Sequence, residues 1–182
     1  MTRIPYRDIG TLNDHARELT VERGSLNVYR TLANAENVFT GWMIAGRDAL
    51  TSPVLSPRLR ELVILRTGHL MDSPYEIGQH TGIAEKAGIS AEQIAALAPT
   101  GGLEDAGFDD IELAVLLLTT ELLVTKRVNA ELFEEVRRGL GDEATVEVLM
   151  VIHRWAGLAL MLNALDVDLD SQARITIPEP AP

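Results

Sequence analysis

Residues Ser56 to Ser90 read SPRLRELVILRTGHLMDSPYEIGQHTGIAEKAGIS. Two helical segments are written there, and both open in the same way. Ser56-Pro57 and Ser73-Pro74 each place a serine where its side-chain oxygen can cap a helix. A proline follows in the first turn, where a missing N–H costs nothing. Met71-Asp72-Ser73 breaks the run between the two segments, and Gly88 is suited to stop the second.

Working outward, the helical signals continue almost without interruption. Leu26 to Leu50 contains no proline and spaces Leu32, Phe39, Trp42 and Met43 at roughly helical intervals. Ser90 with Gln93 forms a capping box ahead of a short helix. Pro99 to Gly107, PTGGLEDAG, is the clearest loop. Asp109 or Asp110 then opens the apolar run IELAVLLLTTELLV, and helices follow at about Ala130 to Leu140 and Asp142 to Leu165. The closing IPEPAP cannot continue a helix. Strand signals are nearly absent and no internal repeat is visible. These features predict an all-α bundle in a single domain over 1–182, with 1–24 as an N-terminal arm and 172–182 as a C-terminal tail. The helices at Ile111–Val124 and Val146–Leu165 are apolar nearly all the way round. Helices of that kind need neighbours on every side, which subunit contacts supply, so a homo-oligomer is expected.

Composition excludes several classes of function. The chain has 182 residues, 24% charged and 46% apolar, the balance of an ordinary globular protein with a sizeable core. Cysteine is absent. That removes disulfides, zinc-thiolate sites and any thiol peroxidase cycle carried by this chain alone. The net charge of -11, with no block of Lys and Arg, argues against nucleic acid and anionic membranes as partners. The opening MTRIPYRDIG lacks the apolar core of a signal peptide. Val148 to Leu165 reaches spanning length but carries His153, Arg154 and Asn163, and so reads as a buried helix. The expected location is the cytoplasm.

The chemistry concentrates in the opening stretch. Glu61 lies inside an apolar helix, while Glu76 and His80, four apart, share one face of the next. If the two helices form an antiparallel hairpin, Glu61 precedes Asp72 by eleven residues and His80 follows it by eight. At ~1.5 Å per residue the offset is about 5 Å, within side-chain reach. Burial raises a carboxyl pKa and a nearby imidazolium lowers it, so the pair can share a proton near neutral pH. Plainer readings stand beside this one. Glu76 is also the third residue of a capping box on Ser73, Glu61 could pair with Arg58 or Arg66, and His80 could be a hydrogen-bonded helix histidine. His69 suits a helix end. Glu-x-x-x-His occurs once, unlike the doubled Glu-x-x-His of di-iron bundles, so no metal is expected. His153 and Arg154 interrupt an apolar helix and should meet partners in the interior or at an interface. Arg154 is suited either to a substrate carboxylate or to an intersubunit ion pair. Trp42 belongs to the core or lines a pocket beside the site.

RLRELVILR, a short gap and Tyr-Glu-x-x-x-His together resemble the carboxymuconolactone decarboxylase family, whose fold is shared with the alkylhydroperoxidase-D-like proteins. In the peroxidase branch a glutamate is followed, after eleven residues, by Cys-x-x-Cys-x-x-x-His. That frame falls on Glu61, Ser73, Glu76 and His80, so both cysteine positions hold other residues. The decarboxylase branch reads Tyr-Glu before the histidine, as at Tyr75, Glu76 and His80. The resemblance implies a trimer or hexamer and a cofactor-free lyase or isomerase of aromatic degradation acting on a small carboxylated lactone. His80, Glu61 and Glu76 would be catalytic, and Tyr75, Arg154 and Trp42 would contact the substrate. A non-catalytic helical oligomer that binds a small molecule is the alternative. A catalyst should show His80 accessible in a cavity, whereas a scaffold should show it hydrogen-bonded and closed off. For a catalyst, His80→Ala should abolish activity and change stability by no more than ~1 kcal/mol.

Overall fold

A computed structural model of the chain describes residues 2–171 and 174–177. The expected stop at IPEPAP falls largely outside the described residues. Among these residues the architecture is all helical, with no strand. In chain order the helices are α1 (Asp14–Glu22), α2 (Asn27–Leu32), α3 (Glu36–Thr51), α4 (Pro57–Leu70), α5 (Pro74–Lys86), α6 (Ala91–Ala96), α7 (Asp110–Thr125), α8 (Ala130–Leu140) and α9 (Asp142–Leu165). They group into two compact units, Met1–Ser52 with Met161–Pro182, and Pro53–Leu160.

In the first unit, the stretch read as an N-terminal arm contains a single 3₁₀ turn at Ile9–Thr11 and then α1. Asn13 caps α1 by accepting the Ala16 N–H at 2.9 Å, and Leu12, Ala16 and Leu19 are buried. The proline-free run from Leu26 to Leu50 is two helices rather than one. Asn34 ends the first by donating its side-chain amide to the Thr31 carbonyl at 2.9 Å and to the Pro5 carbonyl at 3.0 Å. Asparagine offers the backbone this local alternative to a continued helix.

The second unit is built around α4, which packs against α5 and α7, while α7 packs against α8. Every residue of α4 from Leu59 to Gly68 is buried. Leu62 and Leu65 enter a core with Ala84, Ile89, Leu97, Leu103 and Leu116. Each leucine so buried contributes roughly 1.5–3 kcal/mol. The start signals act as read: Ser56 accepts the Leu59 N–H at 3.1 Å, and the Ser90–Gln93 box closes in both directions. The α5 stop is also as read. Gly88 takes φ +83, a left-handed value free of penalty only for glycine, and the Ile89 N–H reaches the Ala84 carbonyl at 3.0 Å.

The two apolar helices differ from each other. In α7 every residue from Ile111 to Leu123 is at least half-buried within this chain. By length and composition α9 could cross a membrane, but it buries Val148, Val151, Ile152, Trp155 and Ala159. It is not apolar core all round, because Val146, Met150 and Leu160 are more than half exposed and His153 is exposed beside them.

Candidate active site

The break at Met71–Ser73 returns α5 along α4, with Asp72 in the left-handed region at φ 50. Gly68 lets the two helices approach closely: a Cβ there would lie 3.2 Å from the Glu76 Cβ and 3.4 Å from the Ile77 Cγ1. This hairpin brings Glu61 and His80 together. His80 Nδ1 lies 2.7 Å from Glu61 Oε2, and both side chains are almost wholly buried. The alternative partners for Glu61 are engaged elsewhere. Arg58 pairs with Glu112 at 2.6 Å, and Arg66 donates to the carbonyls of Leu97 and Ala98 and to Thr120. Neither Arg60 nor Arg66 lies on a solvated face, since each is only 5% exposed. His69 does end α4, half-buried, and its pKa is lowered by burial and by Arg66.

The capping account of Glu76 is half right. Its N–H points to Ser73 Oγ at 3.5 Å, but the Ser73 N–H donates to the Gly68 carbonyl, so the Glu76 carboxyl does not close the box. That carboxyl is buried, with Oε2 4.0 Å from His80 Nε2, too far for a hydrogen bond. Among the described residues Glu76 Oε1 has no hydrogen-bond partner, and neither has Glu61 Oε1. Burial pushes the Glu76 pKa up to about 7, against the pull of His80 and Arg154, with Glu61 adding to the rise. At neutral pH this group is poised between acid and carboxylate. Among the described residues no group of three or more His, Asp or Glu is placed to hold a metal ion.

A sequence model of the Carboxymuconolactone decarboxylase family matches residues 36–121, a stretch that contains Glu61, Glu76 and His80. That segment, a little under half of the chain, is similar to the carboxymuconolactone decarboxylase family. A crystal structure of an alkylhydroperoxidase AhpD core, an uncharacterized peroxidase-related protein from Ralstonia eutropha JMP134, has the same fold. It superposes with a TM-score of 0.79 at 20% identity, over 94% of this chain and 93% of that one. No curated protein matches the chain.

Trp155, beyond the matched family segment, completes the surroundings of His80, a role not read from the His153-Arg154-Trp155 stretch in the sequence. Its indole N–H donates to His80 Nε2 at 3.1 Å. An indole N–H can only donate, so Nε2 carries the lone pair and Nδ1 carries the proton that faces Glu61. The only hint of this in the sequence was an aromatic residue next to the polar pair His153-Arg154. Of that pair, His153 is exposed and among the described residues meets no interior partner, whereas half-buried Arg154 places its guanidinium 5.8 Å from the Trp155 ring centroid. Tyr75 is buried at the start of α5, and Trp42 is half-buried on α3 in the first unit. His80, 2% exposed and held at both ring nitrogens, is closed off in the manner expected of a scaffold. Its removal would leave a cavity and uncompensated buried carboxyls. His80→Ala should therefore cost on the order of 2–4 kcal/mol rather than ~1.

Proposed function

We propose that this protein is a cofactor-free lyase or isomerase that acts on a small carboxylated lactone or related acid by proton transfer at Glu61, His80 and Glu76. The observation that carries the reading is the unfinished hydrogen bonding of two buried carboxyls beside one imidazole. Buried polar atoms left unpaired are costly, and among the described residues the only such carboxyl oxygens are these two, beside one imidazole. A carboxyl perturbed by burial, as that of Glu76 is, is typical of sites where protons are moved.

The roles follow from the geometry. In a decarboxylation the departing carboxylate leaves as carbon dioxide and its electron pair passes into the unsaturated lactone, which needs no separate electron sink. An acid then places a proton on carbon. Glu76, with a pKa near 7, is suited to hold that proton at neutral pH. His80 exchanges protons through Nε2, and Glu61 orients the ring and stabilises its charged form. Arg154 would be the cation that meets a substrate carboxylate. Self-association belongs to the same reading, because Val146, Met150 and Leu160 leave an apolar strip open on α9.

An ultraviolet time course with 4-carboxymuconolactone tests the proposal, with His80→Gln alongside to avoid the cavity of an alanine. Turnover in the parent that falls by about 10²–10⁴-fold in the variant is expected. Absence of turnover in the folded parent would reject this substrate. The closure of His80 favours a second reading, a non-catalytic helical binding protein. Equal affinity of the parent and His80→Gln for the same lactone, with no turnover, would select it.

A further inference from the structure

We propose that Trp155 is a positioning residue for His80, whose indole N–H fixes the Nδ1–H tautomer and keeps Nε2 from taking up a proton until the indole moves aside. The purpose of this device rests on the proton-transfer reading above, but its geometry stands without it. His80 and Trp155 are 2% and 3% exposed, so water does not substitute for either partner. The rings meet edge to face, centroids 5.7 Å apart and planes at 83°, which directs the indole edge at the imidazole instead of stacking the two. Were Nε2 protonated, one N–H would face another at 3.1 Å. The indole contact and the imidazolium therefore exclude each other.

The charged groups around the ring come from all three packed helices. Glu61 on α4 and Glu76 on α5 favour a protonated ring, while Arg60 beside Glu61 and Arg154 on α9 oppose it. Trp155 and Glu76 compete for the single lone pair of Nε2. With the indole in place the lone pair is held and Glu76 waits at 4.0 Å. With the indole displaced, Nε2 becomes the nearest nitrogen able to exchange a proton with Glu76. The closed state of His80 is then a resting state of the site and does not argue against chemistry there.

Nitrogen-15 NMR of the full chain tests this without a substrate. At pH 8 the parent should show His80 protonated at Nδ1, unprotonated at Nε2, and a through-hydrogen-bond coupling from Nε2 to the Trp155 indole nitrogen. The protein has two tryptophans, so Trp42→Phe identifies the Trp155 signal. In Trp155→Phe, which keeps a ring and loses the donor, the His80 titration midpoint should rise by at least one pH unit, a roughly tenfold gain in proton affinity. An Nε2–H tautomer in the parent, or an unchanged midpoint in a folded Trp155→Phe protein, would overturn the proposal. If Trp155→Phe does not fold, the tautomer and coupling in the parent decide alone. Failure of the lactone assay with the NMR result intact would sink the catalytic reading and leave the tautomer assignment standing.

Discussion

Helix α4 holds two polar assemblies, one part-buried and one fully buried, that differ in how completely they are paired. At Arg58 the guanidinium bonds Glu112 through Nε at 2.6 Å and Nη2 at 3.2 Å. It also donates to Gln93 at 3.1 Å and to the Gly88 carbonyl at 2.5 Å. Glu112 in turn accepts the Asp109 N–H and closes the capping box that starts α7. That assembly is complete and ties four elements together. One turn further on, Glu61 and Glu76 each leave an oxygen unpaired around His80. The first arrangement is what a fold needs, and its charges compensate one another. The second stores unfavourable desolvation, which is the condition for a group whose protonation changes near neutral pH.

The contrast can be broken most forcefully at Glu76. Folded, its carboxyl keeps a proton up to about pH 7, whereas the unfolded chain gives it up near the ordinary value of 4.5. Its contribution is therefore most favourable below pH 4.5 and is lost as pH rises through 7, a change of roughly 3 kcal/mol. Glu76→Gln should remove that penalty, leaving stability unchanged at pH 4.5 and raised by roughly 3 kcal/mol at pH 8 in urea unfolding. Parallel pH curves for parent and variant would show that Glu76 is not the poised group.

The complete assembly should respond in the opposite sense. Arg58→Ala strands Glu112 and should lower stability by about 2 kcal/mol, less than a fully buried pair because the Arg58 side chain is 29% exposed. Thermal unfolding at pH 7 measures this, and the variant should leave the pH dependence tied to Glu76 unchanged. A shift in that dependence would mean the two assemblies are coupled and the comparison is misdrawn.

The smallest effect is expected at Gly68, which sets the α4–α5 spacing. Gly68→Ala puts a methyl group 3.2 Å from the Glu76 Cβ, so α5 must yield by a few tenths of an ångström. A loss of about 1 kcal/mol is expected. The variant sharpens the comparison if the pH midpoint assigned to Glu76 also moves while the Arg58 assembly is untouched.

Much of this was legible in the sequence because the deciding signals are local. Ser56-Pro57, Ser73-Pro74, Ser90 with Gln93 and Gly88 fix helix ends through contacts of a few residues, and the Glu61–His80 approach follows from helical rise on either side of a short break. Local signals misled where a donor found a partner other than the one the pattern suggests. The break after Leu32 depends on Asn34 reaching Pro5, and the incomplete box at Glu76 depends on the Ser73 N–H turning back to Gly68.

By itself the sequence determined the all-helical class, the reach that lets Glu61 meet His80 across a hairpin, and the impossibility of thiol chemistry on a chain without cysteine. Each is settled by composition or by spacing within one hairpin. Only the tertiary structure decided which arginine neutralises which acid, that one Glu76 oxygen is left unpaired, and that Trp155 caps His80. Those outcomes join residues from Arg58 to Trp155, and competition for a hydrogen bond is resolved by packing distances that no local pattern encodes.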